Sequence, residues 1–195
     1  MKKVLSPSSA NSAAWPTVKK TVVPRILGID PGYDRLGWAI LAVPRTAPKK
    51  LLAAGLITTN KEQTFYKRLQ TIDHDLSQVI AKYQPNLAAM ESLFFQNNQK
   101  TAFQVAEARG VIKSCLFRAA LPLVEYTPLQ VKVGVTGHGQ ATKDAVAKMV
   151  RLEFSLSTKT KIIDDTLDAI AIALTHSASL NLRQLSPSAI TPSAA

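Results

Sequence analysis

Two short apolar runs, each closed by a carboxylate, restrict what this chain can fold into more than any other feature. Ile26-Leu27-Gly28-Ile29 ends at Asp30 and then at Pro31-Gly32, and Leu87-Ala88-Ala89-Met90 ends at Glu91. Apolar runs of this length, bounded by turn residues, read as buried strands. If the two strands are neighbours, both carboxylates lie at one edge of the sheet.

Further strands are predicted over residues 36–43, 51–58 and 121–126, the first two forming a meander with the Asp30 strand. Phe65, Leu69, Ile72, Leu76, Val79 and Ile80 recur at helical spacing and predict a helix from Lys61 to about Lys82. Other helices are expected from about 99 to 119, over 142–154 and over 164–180, with residues 134–139 as a glycine-rich loop. Strands first and helix–strand alternation afterwards give an α/β fold, a mixed five-stranded sheet flanked by helices. In such a sheet, polar residues at the carboxyl ends of strands form the usual site.

The chain has 195 residues, which suits one domain with loose ends. Residues 1–24 contain no acid, four Lys and much Ser, Ala and Pro, and are expected to be a disordered basic arm. An organellar transit peptide shares that Ser content but prefers Arg. Residues 182–195 are expected to be a disordered tail, which leaves 25–181 as the domain. Lys and Arg number 24 against 13 Asp and Glu, a formal charge of +11 that favours a polyanionic partner such as nucleic acid. A solvated basic surface gives the same count, so motifs have to decide.

Cys115 is the only cysteine, which excludes an internal disulfide and a Cys-based zinc cluster. Beside Ile112 and Leu116 it reads as a buried helical thiol. No apolar run reaches the roughly 18 residues of a membrane span, and the first 24 residues lack the apolar centre of a signal peptide. The expectation is a soluble, cytoplasmic protein.

A third acidic contribution is helical. Asp165 and Asp168 lie three apart at the start of the Ala- and Ile-rich last helix and project from one face. Acids in a first turn commonly just complement the helix dipole, and Asp164 is expected to act so as an N-cap. Asp168, however, sits among Leu167, Ala169, Ile170 and Ala171, where an unpaired ion is costly and a bound cation removes the cost. Spacing alone does not choose Asp165 over Asp164, which also shares a face with Asp168. Converging carboxylates in a basic protein repel one another and repel phosphate, and divalent cations resolve both conflicts. Mg²⁺ prefers carboxylate oxygen, and two such ions about 3.5–4 Å apart can activate water and stabilise a departing phosphodiester oxyanion.

Residues 26–32 resemble the first strand and turn of the RuvC family of Holliday junction resolvases, and Met90-Glu91-Ser92-Leu93-Phe94-Phe95 its second acidic strand. Asp165-Thr166-Leu167-Asp168-Ala169-Ile170-Ala171-Ile172-Ala173 is similar to the family's closing helix. Lys100-Thr101-Ala102 and Glu107-Ala108-Arg109-Gly110-Val111 also have family counterparts in the right order. The resemblance covers about residues 25–178 and implies an RNase H-like fold. It implies Asp30, Glu91, Asp165 and Asp168 as catalytic acids binding Mg²⁺, two ions per subunit, with Mn²⁺ able to substitute. It further implies a homodimer that makes paired nicks in a four-way DNA junction, leaving 5′-phosphate ends, with RuvA and RuvB as partners.

Phe94 and Phe95 follow the second acidic strand; core packing is the commoner fate of Phe, and the resemblance favours Phe94 as a base-stacking residue. Lys132 and Lys143 flank the glycine-rich stretch and match basic family positions that contact DNA. Thr142 is placed to cap the following helix, whose amino end would accept a phosphate. His74, His138 and His176 are too scattered for a zinc motif; they read as a helix-surface, a loop and a partly buried structural histidine. The basic arm, Asn97 where the family often has Lys, and the additional carboxylate of Asp34 beside Asp30 depart from the family pattern.

Three rivals stand beside this reading. An actin-like ATPase or sugar kinase also begins with Asp and Gly after a first strand, but its other glycine signatures are absent from this sequence. A related nuclease acting on RNA or RNA–DNA hybrid would use the same acids. A junction-binding protein without catalysis would have no use for all four.

Overall fold

The computed structural model describes residues 23–92, 99–157 and 162–185. Phe94, Phe95, Asn97, most of the basic arm and the chain beyond Leu185 lie outside the described residues.

Strand β1 (Arg25–Asp30) pairs antiparallel with β2 (Arg35–Ala42), which pairs antiparallel with β3 (Lys50–Thr58). On its other side β1 runs parallel to β4 (Leu87–Glu91), and β4 parallel to β5 (Leu123–Tyr126), giving the order β3-β2-β1-β4-β5. The mixed five-stranded sheet expected from the sequence is therefore present, with the two acid-terminated strands side by side at its centre. Ile29 pairs with Met90, so Asp30 and Glu91 are the next residues on adjacent parallel strands.

Alternation along the strands sorts side chains into two cores. Leu27, Ile29, Leu36, Ile40 and Met90 face α1 (Phe65–Tyr83) and α2 (Gln99–Arg118), where Ile72, Leu76, Ile112 and Leu116 are buried. Ile26, Ala39, Leu41, Leu87 and Ala89 face α5 (Asp164–Leu185), backed by α3 (Pro128–Thr136) and α4 (Lys143–Glu153). By the same alternation Asp30 and Glu91 belong to the α5 side.

Several element bounds differ from expectation. Thr64 caps α1 through its side chain, so the helix begins at Phe65 and residues 61–63 form a turn. Gly134 lies inside α3 rather than in a loop; Thr127 and Gln130 close a reciprocal capping box, Pro128 occupies the first turn, and Gly137 ends the helix at φ 75°. The Ile163 carbonyl accepts from the Thr166 and Leu167 amides, so Ile163 is the cap of α5 and Asp164 its first helical residue. That helix also runs past the expected end at 180 to Leu185. Cys115 is buried as expected, and burial raises its thiol pKa.

Two glycines set how closely α5 lies on the sheet. A Cβ at Gly28 would overlap the Ala169 carbonyl oxygen, and one at Gly37 would overlap that of Asp165. The helix backbone thus rests directly on β1 and β2, which fixes where its acidic residues project.

Candidate active site

The acids from distant parts of the chain meet on the α5 side of the strand ends. Asp30 and Glu91 leave the carboxyl ends of β1 and β4, and Asp165 and Asp168 descend from the first turns of α5. Their mutual proximity appears in their ionisation. Asp30 is raised to about 7, first by burial and then by the charges of Asp168, Glu91 and Asp165, with Lys143 opposing. Burial followed by Asp168 raises Glu91, against Arg109 and Lys143. Asp168 is raised by burial, which outweighs a hydrogen bond from Lys143.

Cationic side chains hold two of these acids. Lys143 Nζ lies 2.9 Å from Asp168 Oδ2, and Arg35 Nε lies 2.9 Å from Asp165 Oδ2. Asp165 is turned inward beside Asp30 whereas Asp164 is exposed, a distinction that spacing could not make. Among the described residues, no three His, Cys, Asp or Glu side chains are drawn together closely enough to hold an ion as they stand. The donor set nevertheless fits a hard cation: all four groups are carboxylates, burial and then the charges of Asp168, Glu91 and Asp165 raise Asp30 to about 7, and positive charge already sits against Asp165 and Asp168.

Lys132 and Lys143 line a cleft of about 250 Å³ together with Glu91, Val131, Val146, Asp168 and Ile172, and of the two lysines it is Lys143 that pairs with an acid. Lys143 is the first residue of α4, whose cap is Thr142 as expected. Asp34, the additional carboxylate, does not join the site. Its carboxylate is taken by Arg68, and Lys61 approaches at 3.6 Å.

A family model described as crossover junction endodeoxyribonuclease RuvC matches residues 26–176. The chain belongs to the RuvC family. The RuvC of Brachyspira hyodysenteriae is 48% identical over 151 residues, which is 77% of this chain and 91% of that one. The RuvC of Petrotoga mobilis is 44% identical over the same shares. Among solved structures, Thermus thermophilus RuvC is 32% identical with a TM-score of 0.74, covering 81% of this chain and 96% of that one. The same protein in complex with a Holliday junction substrate gives 0.75 over 82% and 96%. The yeast mitochondrial Holliday junction resolvase, at 12% identity and a TM-score of 0.64, shares the fold alone. The chain is thus an endodeoxyribonuclease of the RuvC family with the RNase H-like architecture expected from its sequence.

Three features of the site were not readable as such. Arg109 is buried and reaches the end of β4 from the opposite face of the sheet, donating to the Glu91 carbonyl and to the Glu125 carboxylate on β5. A lone arginine among apolar helix positions was the available signal. His176, expected as a structural histidine, is buried with Nδ1 2.8 Å from the Tyr126 hydroxyl, which ties α5 to the strand beside Glu91. The Arg35–Asp165 pair joins residues too far apart in sequence for any pattern to show.

Proposed function

We propose that this chain resolves four-way DNA junctions by paired, divalent-metal-dependent phosphodiester hydrolysis in recombination and repair. The observation that carries the proposal is the convergence of Asp30, Glu91, Asp165 and Asp168 at one end of the two central strands. These four would hold Mg²⁺, or Mn²⁺ in its place. A bound pair of such ions supplies an activated water and charge stabilisation for the departing 3′ oxygen. The chain's own part is to fix the carboxylates, with Arg109 holding the Glu91 backbone and α5 resting on Gly28 and Gly37.

Lys132 and Lys143 line the cleft beside the acids, which supports them as contacts to a phosphate backbone. The family resemblance assigns base stacking to Phe94. A homodimer is supported by the outer face of α1 and α2. Phe103 and Phe117 are 79% and 84% exposed and flank Gly110 at heptad spacing, and Tyr66, Val111 and Arg118 line an adjoining groove of about 510 Å³. Two copies would present two identical sites to two equivalent strands of a junction. Among the described residues no helix is long and apolar enough to cross a membrane. Action in the cytoplasm beside RuvA and RuvB is part of the same proposal, as is the division into a basic arm over 1–24, a nuclease domain and a short tail.

The test is a synthetic four-way junction, assayed beside linear duplex and RNA–DNA hybrid with and without Mg²⁺. Wild type should nick the junction symmetrically and leave 5′-phosphates, while Asp30→Asn should bind it and leave it uncut. Cleavage by Asp30→Asn at the wild-type rate would remove Asp30 from the mechanism. Preference for the hybrid would favour the related RNA-cutting function.

A further inference from the structure

Of the two cations held against the acid cluster, Lys143 is part of the DNA-contact reading, whereas Arg35 has no part in it. Arg35 opens β2, and with Leu36 and Ile40 in the α1–α2 core, alternation turns Arg35, Gly37 and Ala39 to the α5 side. Gly37 lets the Asp165 backbone come down onto β2, and two residues earlier on β2 Arg35 brings its guanidinium within 2.9 Å of Asp165 Oδ2, an ion-pair contact without hydrogen-bond geometry. The turn that carries Arg35 is clamped from the other face. Arg68, itself buried, binds the Asp34 carboxylate, donates to the Tyr33 carbonyl at 3.4 Å and to the Thr59 hydroxyl at 2.8 Å, and lies 4.4 Å over the Tyr33 ring. Neighbouring residues are thereby sent in opposite directions, Asp34 away from the acids and Arg35 towards them.

We propose that Arg35 is an internal competitor for the divalent cation, occupying the Asp165 carboxylate in the metal-free protein and leaving it only when metal is loaded. The inference rests on the reading of the four acids as metal ligands. The exposures suit an exchange: the Arg35 side chain is 56% exposed and Asp165 19%, so the guanidinium has solvent to swing into and the carboxylate does not. Physically, a positive charge resting 2.9 Å from buried Asp165 Oδ2, which receives no hydrogen bond, stands where a cation would bind and repels an incoming one. The arrangement keeps the acid cluster partly neutralised before metal arrives, and it sets metal affinity below what the four carboxylates alone would give.

The experiment is calorimetric titration of metal-stripped full-length protein with Mn²⁺ alone, without DNA. Wild type should bind, Asp30→Asn should lose most of that binding, and Arg35→Gln should bind roughly tenfold more tightly. In an Asp165→Asn background the same Arg35→Gln change should alter affinity by less than about twofold, because its target is gone. Arg45→Gln, an exposed charge three residues beyond the far end of β2, controls for net charge and should have no effect. Arg35→Ala repeats the test with a different side chain, and thermal melts verify that each variant is folded. Unchanged or weaker affinity in both Arg35 variants, with Asp30→Asn still defective, would overturn the proposal and leave the acid site standing. Failure of wild type to bind Mn²⁺, or binding by Asp30→Asn equal to wild type, would overturn both.

Discussion

The two faces of the sheet are packed on opposite principles. The face against α1 and α2 is filled by bulk, with Leu27, Ile29, Leu36, Ile40 and Met90 meeting Ile72, Leu76, Ile112 and Leu116. The face against α5 also buries Ile26, Leu41 and Leu87, but where the helix crosses β1 and β2 it meets glycine, Gly28 opposing Ala169 and Ala173 and Gly37 opposing Asp165, so that backbone rests on backbone there. Bulk tolerates rearrangement, because large side chains can repack around a lost or altered neighbour. A helix seated on glycine has no such slack. Both faces contribute stability, and the glycine contacts add to the α5 face the placement of the carboxylates.

Gly37→Ala should break that contrast most severely. Its methyl would strike the Asp165 carbonyl oxygen, which has nowhere to move without lifting the start of α5. Destabilisation of at least about 3 kcal/mol is expected. A shift near 1 Å in Asp165 and Asp168 should also lower junction nicking by roughly a hundredfold in the molecules that remain folded. Urea unfolding and single-turnover nicking measure the two losses separately. Leu76→Ala on the other face should cost a comparable ~3 kcal/mol by opening a cavity. Its nicking rate per folded molecule should stay within about twofold of wild type, since its packing is independent of the acids. Equal losses of activity in the two variants would show that the faces do not divide the work.

The third expectation concerns pH. Asp30 is raised to about 7, and Glu91 and Asp168 move in the same direction. The folded protein therefore binds more protons than the unfolded chain between about pH 4 and pH 7, and stability in that window falls as pH rises. Asp34 is shifted the other way by Arg68, and its contribution is lost only as pH falls towards and below the ordinary carboxylate range. Metal-free protein in EDTA should accordingly be less stable at pH 8 than at pH 5 through the acid cluster, by an amount on the order of 2 kcal/mol. Asp30→Asn should flatten the difference and raise the melting temperature at pH 8. Added Mg²⁺ should stabilise wild type at pH 8 and leave the variant unmoved. A wild-type melting temperature that rises from pH 5 to pH 8 in EDTA would contradict the convergence of unneutralised charge.

Legibility in the sequence followed the same division. The acid-terminated strands were readable because a buried strand is a continuous apolar run and a carboxylate at its end is conspicuous. Asp168 was readable because an ion amid Leu and Ile demands a partner. The helix over Pro128–Thr136 was missed, since Leu129, Val131, Val133 and Val135 alternate with the period of a strand and Gly134 suggests a turn. Only Thr127, Pro128 and Gln130 announced a helix start. Gly134 is used instead for close packing against the Thr175 side chain. Arg109 and Arg35 escaped for another reason: their partners come from other elements, and ion pairing across a fold leaves no periodic trace. That Asp165 is the less exposed of the two neighbours also needed three dimensions, because helical spacing alone allows either beside Asp168.

The smallest expected effect tests whether α3 belongs to the precise face or merely adjoins it. Thr127→Ala removes the side chain that accepts from the Gln130 amide at 3.2 Å and leaves in place the reciprocal bond, in which the backbone amide of residue 127 donates to Gln130 Oε1. Loss of such a cap costs about 1 kcal/mol. Thr127 follows Tyr126, whose partner across the sheet is Glu91, yet the capping bonds run only between Thr127 and Gln130. Mn²⁺ affinity should therefore stay at the wild-type value. Lys132, carried on α3, should lose some of its fixed position, so junction binding should weaken about twofold with an unchanged nicking rate at saturating enzyme. Should Thr127→Ala instead weaken Mn²⁺ binding, the placement of Glu91 would depend on the start of α3, and the precise face would extend beyond α5 to the end of β5.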